Sequence, residues 1–281
     1  MYTISTKGFE SDDGSIRTYL DLSQSDVSNE WIQRQEASIE EYESHQSETP
    51  KDVELLYQLF DGYIASELSG KKNQIILDVG CGISREYPLY ASSIENSQST
   101  IGNIYVGLDP LLINIMNRKY FFIAGRLEDL PKAMLSQFDV LIFSTSLDHF
   151  EMIEDVCKAV FPIVKKNAQL IFWVGLHDPG IVSQSIGTKL FRNLYGSINP
   201  IRFLLLLLKA NILFFLNYLK MLKRRVFLSK NIKLDNLHFH YFTEGSIISV
   251  LSRFGVVKKV ISIPGTNSIF ASVIVQKDQN P

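Results

Sequence analysis

Short apolar runs that alternate with helix-like segments are the feature that most constrains how this chain folds. The runs cover residues 75–79, 104–108, 120–124, 140–144 and 170–174. Helix-like segments separate most of these runs, at residues 86–95, 111–117 and 150–165. Strands that alternate with helices predict βαβ units, a parallel sheet and right-handed crossovers.

The carboxyl-terminal part of the chain predicts how the sheet is completed. A helix over residues 243–254 is followed by two strands, at 257–263 and 269–275. Few residues separate these strands, so we expect an antiparallel hairpin. The predicted fold class is α/β, with a doubly wound, mostly parallel seven-stranded sheet, a terminal antiparallel hairpin and a helical insertion over residues 177–237.

Residues 1–50 are predicted to form an extension before the main domain, which spans residues 51–281. The Asp13-Gly14 pair predicts a tight turn between two short strands, because glycine adopts positive φ at low cost. Residues 29–44 predict a polar helix. A second helix begins near Pro50, and its apolar residues recur at steps of three and four from Val53 to Phe60, which indicates one core-facing side.

The charge and the cysteine content exclude several functional classes. A formal net charge of −2 gives no sign of nucleic-acid binding, since phosphates demand a basic surface. Cys81 and Cys157 form no C-x-x-C pair, so we expect neither a zinc ribbon nor a disulfide scaffold. His238 and His240 could be two metal ligands, but no third is apparent and no metal is predicted. The cysteine usage suits a reducing cytosol and the first ten residues show no secretory signal, so we expect a cytoplasmic protein, with a peripheral position on the inner face of the membrane left open.

Two glycines follow the first run, at the strand end where an open α/β sheet binds its ligands. Gly80 and Gly82 let a ligand approach the backbone closely and leave N–H groups free near the next helix. Arg85 replaces the third glycine of a dinucleotide-binding loop, which disfavours a pyrophosphate cofactor. A small cofactor with a carboxylate and an amine fits better. The alternative is a tight strand-to-helix turn with no ligand.

Asp109 places a carboxylate at the end of the second strand. An acid at this point can accept hydrogen bonds from both hydroxyls of a ribose that carries no 2′-phosphate. Followed by Pro110, Asp109 could instead only cap the next helix. Together with the glycine loop, it favours a nucleoside-containing cofactor.

These segments resemble the ordered motifs of class I S-adenosylmethionine-dependent methyltransferases. Residues 78–82, 107–109 and 138–143 resemble the first, second and fourth motifs of that family. Residues 125–131 resemble its third-strand segment, and residues 146–150 resemble the turn after its fourth strand. The terminal hairpin is also what the family's sheet implies. The motifs themselves are Asp78-Val79-Gly80-Cys81-Gly82, Gly107-Leu108-Asp109, Gly125-Arg126-Leu127-Glu128-Asp129-Leu130-Pro131, Phe138-Asp139-Val140-Leu141-Ile142-Phe143 and Ser146-Leu147-Asp148-His149-Phe150.

The resemblance implies S-adenosylmethionine as the cofactor. Gly80 and Gly82 would lie against its methionyl part, and Asp78 would orient its amino group directly or through water. Asp109 would hold the ribose. The predicted cofactor-binding residues are Asp78, Gly80, Cys81, Gly82, Leu108, Asp109, Leu127, Glu128 and Ser144.

Two departures from the family pattern bear on this site. Leu108 and Leu127 would sandwich the adenine, but Arg126 stands where an acid often meets the adenine amino group. Glu128 or a backbone carbonyl must then replace that acid, or adenine binding is weaker. The usual glycine pair before the fifth strand is replaced by residues 166–168, which we interpret as a different turn, because Asn167 also tolerates left-handed backbone.

Histidines near the predicted strand ends are the candidate catalytic residues. A base accelerates methylation of a hydroxyl, and histidine titrates near neutral pH. His149 follows the fourth strand, His177 follows the fifth, and His240 lies before the last helix. The alternative for His149 is a helix cap or packing under the cofactor, and His240 could form a substrate wall.

Residues 202–225 are the most apolar part of the insertion. A single membrane crossing is disfavoured, because it would place strands of one sheet on opposite sides of the membrane. A lid over the acceptor, a homodimer contact and a peripheral helix that meets anionic lipid all remain open.

The predicted function is methyl transfer to a small or amphiphilic acceptor at oxygen. Such an acceptor would be a sugar, a lipid-linked or a natural-product intermediate. The alternative is a non-catalytic cofactor-binding or protein-interaction module. A nicotinamide oxidoreductase is disfavoured by the missing third glycine and by the terminal hairpin.

Overall fold

A computed structural model describes residues 1–22, 51–111, 118–176, 239–263 and 266–276. The amino-terminal strands are β1 (Thr3–Ser5), β2 (Gly8–Glu10), β3 (Ile16–Arg17) and β4 (Tyr19–Asp21). The elements that follow are α1 (Lys51–Leu68), β5 (Ile75–Val79), α2 (Ser92–Ile101), β6 (Ile104–Asp109), β7 (Phe121–Ala124), α3 (Leu130–Ala133), β8 (Phe138–Ser144), α4 (Ile153–Ile163), β9 (Val164–Gly175), α5 (Glu244–Leu251), β10 (Gly255–Ser262) and β11 (Ser268–Val275).

Within the described residues, eight strands form one sheet in the order β10-β11-β9-β8-β5-β6-β7-β4. Neighbouring strands from β9 to β4 in this order are parallel, whereas β11 runs antiparallel to both β9 and β10. The predicted α/β class, the parallel sheet and the terminal antiparallel hairpin are confirmed. The order reverses next to β5, which brings the ends of β5, β6 and β8 together.

The sheet has one strand more than the seven that the sequence predicts. The additional strand is β4, which pairs in parallel with β7 through Leu20 and Ile123. β4 contains three residues, too few for an alternating apolar pattern to be recognised. It comes from the stretch that we interpreted as an extension, so part of that stretch belongs to the main sheet.

The predicted turn around Asp13 and Gly14 is also confirmed. β2 and β3 pair in antiparallel fashion on either side of it, and Gly14 has a φ of 76°. β1 adds a third strand to this small sheet.

Two predicted helix boundaries are wrong. Residues 86–95 were expected to be one helix, but α2 begins at Ser92 after a single 3-10 turn, Leu89–Ala91. Pro88 explains the delay, because it disfavours helical backbone at the residue before it. The helix expected to reach residue 165 ends at Ile163, one residue after Pro162, and Lys165 lies in β9.

Several predictions fall outside the described residues. These are the polar helix at 29–44, the helix at 111–117 from residue 112 onward, and the insertion at 177–237 with its apolar stretch at 202–225. None of the helices in the part of the chain that the structure describes has the length and apolarity that a membrane crossing requires.

Each face of the sheet is covered by an apolar layer. On one face Phe143, Phe172 and Phe254 pack together, and α4 and α5 contribute to the layer. On the other face α1 presents Phe60 to Trp173, and all these side chains are buried. Full burial of one such side chain contributes about 1.5–3 kcal/mol, so these layers fix the strand ends that carry the site.

Candidate functional site

A cleft opens at the carboxyl edge of the sheet, above β5, β6 and β8. Its volume is about 720 Å³ when the open mouth is included. It lies at the point where the strand order reverses, which is where doubly wound sheets bind ligands. The cleft is lined by Val79, Gly80, Gly82, Leu108, Asp109, Pro110, Leu111, Gly125, Arg126, Leu127, Glu128, Ser144, Thr145, Ser146, His149 and Phe150.

The glycine loop after β5 has the backbone that only glycine adopts easily. Gly80 and Gly82 have φ angles of 77° and 73°. A Cβ on Gly80 would lie 2.6 Å from Cβ of Ser146, whereas a Cβ on Gly82 would meet nothing within 4 Å. Ser146 fixes the loop from the other side, because its hydroxyl donates to the carbonyl of Val79 at 2.5 Å. Gly80 therefore lets the loop pack closely against Ser146, whereas the absence of a side chain at Gly82 leaves open space beside the loop.

Asp109 joins the end of β6 to this loop. Its Oδ2 accepts a hydrogen bond from the Gly82 amide, and its Oδ1 accepts one from the Leu111 amide, both at 2.9 Å. Burial raises the pKa of Asp109, and these two hydrogen bonds and the Arg118 guanidinium oppose that rise. Each carboxylate oxygen can accept a second hydrogen bond. The helix-cap interpretation and the ligand interpretation of Asp109 are thus compatible.

Asp78 lies one layer deeper, beneath the glycine loop, and does not line the cleft. Its Oδ2 accepts hydrogen bonds from the hydroxyls of Tyr105 and Tyr90. Its Oδ1 is buried and has no hydrogen-bond partner among the described residues. Burial raises the pKa of Asp78 to about 7 despite the two tyrosines, and the charge of Asp109 contributes to the rise. An unpartnered buried carboxylate oxygen of this kind favours a donor or a cation beside it.

Cys81 was included in the predicted cofactor set, but its side chain turns away from the cleft. It packs beside Gly107 and Tyr120, where the tyrosine hydroxyl lies 4.0 Å from its Sγ. Burial raises the pKa of the Cys81 thiol well above its ordinary value, so the thiol stays neutral. Cys81 supports the loop through its amide hydrogen bond to the carbonyl of Leu108 and through its thiol, which lies 3.5 Å from the carbonyl of Gly82.

The far end of the cleft combines apolar walls with one ion pair. Leu108 and Leu127 are both buried and line the cleft. The guanidinium of Arg126 lies 2.6 Å from Oε1 of Glu128, and the other carboxylate oxygen, Oε2, is buried with no partner among the described residues. Arg126 therefore pairs with Glu128. Oε2 of Glu128 remains available as a hydrogen-bond acceptor near Leu108 and Leu127. Asn167 has the left-handed backbone that we expected, with a φ of 60°, but it lies within β9 at an irregularity in the pairing with β8 and not in a turn before the strand.

The candidate histidines do not share one position. His149 lines the cleft, with its Nε2 3.8 Å from Oδ1 of Asp148. His240 does not line it and lies behind the loop that carries His149, where its amide donates to the carbonyl of Asp148. Burial lowers the pKa of His240, so it is neutral at pH 7. His177 and His238 lie outside the described residues.

Sequence reasoning missed several residues of this site. Ser144 was predicted, but its neighbours Thr145 and Ser146 line the cleft as well, and their position directly after β8 could have indicated this. Thr145 has a φ of 54°, which is unusual for a β-branched residue. Tyr90 and Tyr105 gave no signal of their contact with Asp78. In the part of the chain described by the structure, no group of three metal-ligating side chains occurs.

The comparisons with known proteins support the fold. No protein-family model and no curated protein matches the sequence. The 1,6-didemethyltoxoflavin-N1-methyltransferase of Burkholderia thailandensis, solved with 1,6-didemethyltoxoflavin and S-adenosylhomocysteine, is similar in structure. It is 11% identical, with 87% of this chain and 88% of that chain covered and a TM-score of 0.52.

A second similar structure is the geranyl diphosphate C-methyltransferase of Streptomyces coelicolor. It is 9% identical, with 78% of this chain and 76% of that chain covered and a TM-score of 0.45. At such identities the likeness concerns the fold alone. The order of the strands and the similarity to the Burkholderia thailandensis structure show that the chain has the Rossmann-like fold of class I S-adenosylmethionine-dependent methyltransferases.

Proposed function

We propose that this protein is an S-adenosylmethionine-dependent methyltransferase that acts on a small or amphiphilic acceptor at oxygen. The observation that carries the proposal is the pairing of two buried carboxyl groups with the glycine loop. Asp109 keeps acceptor capacity at the cleft, and Asp78 has an unpartnered oxygen beneath it. A ligand with two neighbouring hydroxyls and an ammonium group would satisfy both, with the hydroxyls on Asp109 and the ammonium group on Asp78 directly or through water.

The lining residues fit the parts of this cofactor. Gly82 leaves room for the methionyl backbone, and the carboxylate of Asp109 suits the ribose hydroxyls. Leu108 and Leu127 offer apolar surface to the adenine ring, and Oε2 of Glu128 is an acceptor for its amino group. The predicted roles of these residues remain part of the proposal. Cys81 is retained as a support of the glycine loop, because it does not line the cleft.

Bound S-adenosylmethionine supplies a methyl group activated by a positively charged sulfur. Methyl transfer is an in-line displacement, so the main task of the protein is alignment, which can lower a barrier by about 7–11 kcal/mol in favourable cases. The rigid ends of β5, β6 and β8 serve that task. We assign to His149 the role of accepting the proton of a hydroxyl acceptor, and its place in the lining of the cleft with Thr145 and Ser146 supports this assignment.

The size of the acceptor is inferred from a similar structure. The Burkholderia thailandensis relative was solved with a small molecule bound, which favours a small acceptor here. A sugar, lipid-linked or natural-product acceptor, a homodimer, and a peripheral membrane contact through residues 202–225 remain predictions from the sequence. A cytoplasmic location also remains a prediction.

Titration calorimetry of the purified protein tests the cofactor assignment. We expect S-adenosylmethionine and S-adenosylhomocysteine to bind and NADH not to bind. Transfer of a radiolabelled methyl group to a panel of hydroxylated acceptors then tests catalysis. Binding without transfer to any acceptor would favour the alternative, a cofactor-binding module. The presence of Arg126 in the cleft favours that alternative.

A further inference from the structure

Arg118 lies just before β7, outside the cleft, and contacts the far side of the glycine loop. Its Nη2 donates to the carbonyl of Ile83 at 3.1 Å, and its Nη1 donates to the carbonyl of Ser84. Nη1 also lies 2.6 Å from the hydroxyl of Tyr120, which donates to the Ser84 carbonyl at 2.8 Å. One guanidinium thus holds two consecutive carbonyls that directly follow Gly82.

Further contacts surround the hydrogen bonds of Arg118 to the loop. The amide of Lys119 donates to the carbonyl of Arg85 at 3.1 Å, which extends the contact along the loop. The guanidinium lies 5.1 Å from the ring centre of Phe122 and 5.6 Å from that of Tyr120, within the range of cation–π attraction. Arg118 is therefore held between two aromatic rings and the loop backbone.

Gly107 makes room for this arrangement. A Cβ at this position would lie 2.6 Å from the ring of Tyr120 and 2.7 Å from Sγ of Cys81. The glycine in the middle of β6 lets Tyr120 and the loop meet over the strand. The loop is then fixed from two sides, by Arg118 from behind and by Asp109 from the cleft.

We propose that Arg118 is a positioning residue for the cofactor, which sets the glycine loop in its binding conformation by holding the carbonyls of Ile83 and Ser84. The inference rests on the proposed function. With both carbonyls turned toward Arg118, Gly82 stays within reach of Asp109 before the cofactor arrives. Preorganisation of this kind strengthens binding, because less conformational freedom is lost when the ligand enters. The charge also favours the ionised form of Asp109.

The test is calorimetric titration of S-adenosylhomocysteine into the wild type, Arg118→Met, Arg118→Lys and Lys119→Met, well below each melting temperature. Lys119 is the matched control, because its exposed side chain pairs with Glu86 and its backbone contact survives the substitution. Hydrogen bonds from a charged donor contribute enough that we expect Arg118→Met to raise the dissociation constant at least about tenfold. Lysine keeps the charge but cannot hold two carbonyls at once, so we expect a rise of about threefold.

The dissociation constant of the folded protein separates positioning from mere stability. A purely structural role would lower the melting temperature and leave the affinity unchanged. Binding by Arg118→Met within twofold of the wild type would overturn the inference, and if that variant does not fold, wild-type affinity in Arg118→Lys would do so. In either case the proposed function would stand. Failure of the wild type to bind S-adenosylhomocysteine would overturn the proposed function and this inference with it.

Discussion

The amide of Gly82 donates a 2.9 Å hydrogen bond to Oδ2 of Asp109, so the loop after β5 is tied to the end of β6. The two residues are distant in sequence, and the parallel pairing of β5 with β6 brings them together. The acid that we assign to the ribose therefore also shapes the loop that we assign to the methionyl part. One carboxylate links both halves of the proposed cofactor site.

The two loop glycines should differ in their tolerance of a side chain. Gly80→Ala forces a Cβ against Ser146 in addition to left-handed backbone, and we expect a loss of about 2–5 kcal/mol of unfolding free energy. Gly82→Ala has the same backbone cost but open space, so we expect a loss of about 1–2 kcal/mol. Urea unfolding of both variants measures the difference. Equal losses would show that the contact with Ser146 does not matter.

The buried carboxyl of Asp78 should make stability depend on pH. Its pKa is about 7 in the folded protein, against an ordinary value of 3.8, so the folded state retains a proton that the unfolded state loses. Stability should therefore fall as the pH rises from about 4 to 7, and level off above 7. We expect Asp78→Asn to abolish the fall in the free energy of unfolding that Asp78 causes. Urea unfolding at pH values between about 5 and 8 measures this. An unchanged slope would contradict the assignment.

The same carboxyl should couple cofactor binding to proton release. An ammonium group near Oδ1 favours the ionised form of Asp78, so binding below pH 7 should expel a proton. Calorimetry with S-adenosylhomocysteine in buffers of different ionisation enthalpy measures the number of protons released. We expect the release to disappear in Asp78→Asn. Release that persists in this variant would assign the proton to another group.

Glu128 should accept a hydrogen bond from the adenine amino group and so favour adenine over hypoxanthine. S-Inosylhomocysteine presents a carbonyl at that position, which would face the unpartnered Oε2, so the wild type should bind it at least about tenfold more weakly than S-adenosylhomocysteine. In Glu128→Gln the preference should shrink, because the amide can donate to that carbonyl. Asp129→Asn is the matched control, since Asp129 does not line the cleft. A preference that is the same in all three proteins would exclude Glu128 from this role.

His149 should affect turnover and leave cofactor affinity unchanged. With an acceptor identified by the methyl-transfer screen, His149→Gln should lower the rate by about 10²–10⁴-fold. Its dissociation constant for S-adenosylhomocysteine should stay near that of the wild type. His240→Gln, behind the same loop, should have the smaller effect on rate. A full rate in His149→Gln would rule out histidine as the base.

The sequence predicted the elements whose pattern is local. The run at residues 75–79 is buried from Ile76 to Val79, so its apolar pattern could be recognised from the sequence, and the glycines after it marked the end of the strand. β4 was missed because three residues carry no periodicity, and α2 was placed too early because the effect of Pro88 was overlooked. Asp109 could be predicted because an acid at the end of the second strand can bind the hydroxyls of a ribose.

The support around the site could not be predicted from the sequence. Asp78 accepts hydrogen bonds from Tyr90 and Tyr105, and neither tyrosine is close to it in sequence. No rule of residue spacing predicts that a tyrosine in a 3-10 turn contacts a carboxylate in a strand. The direction of Cys81 depends on the absence of a side chain at Gly107 on the neighbouring strand. Arg118 acts on carbonyls, which no sequence pattern identifies.

The central claim is tested most directly by titrating S-adenosylhomocysteine into the wild type, Asp109→Ala and Asp155→Ala. Asp155 is the control for loss of a carboxylate, because its side chain pairs with Lys158 on the surface and does not line the cleft. We predict that the wild type and Asp155→Ala bind alike, and that Asp109→Ala binds at least about tenfold more weakly, since it loses hydrogen bonds to a charged acceptor. Wild-type affinity in Asp109→Ala, or no binding by the wild type, would contradict the account.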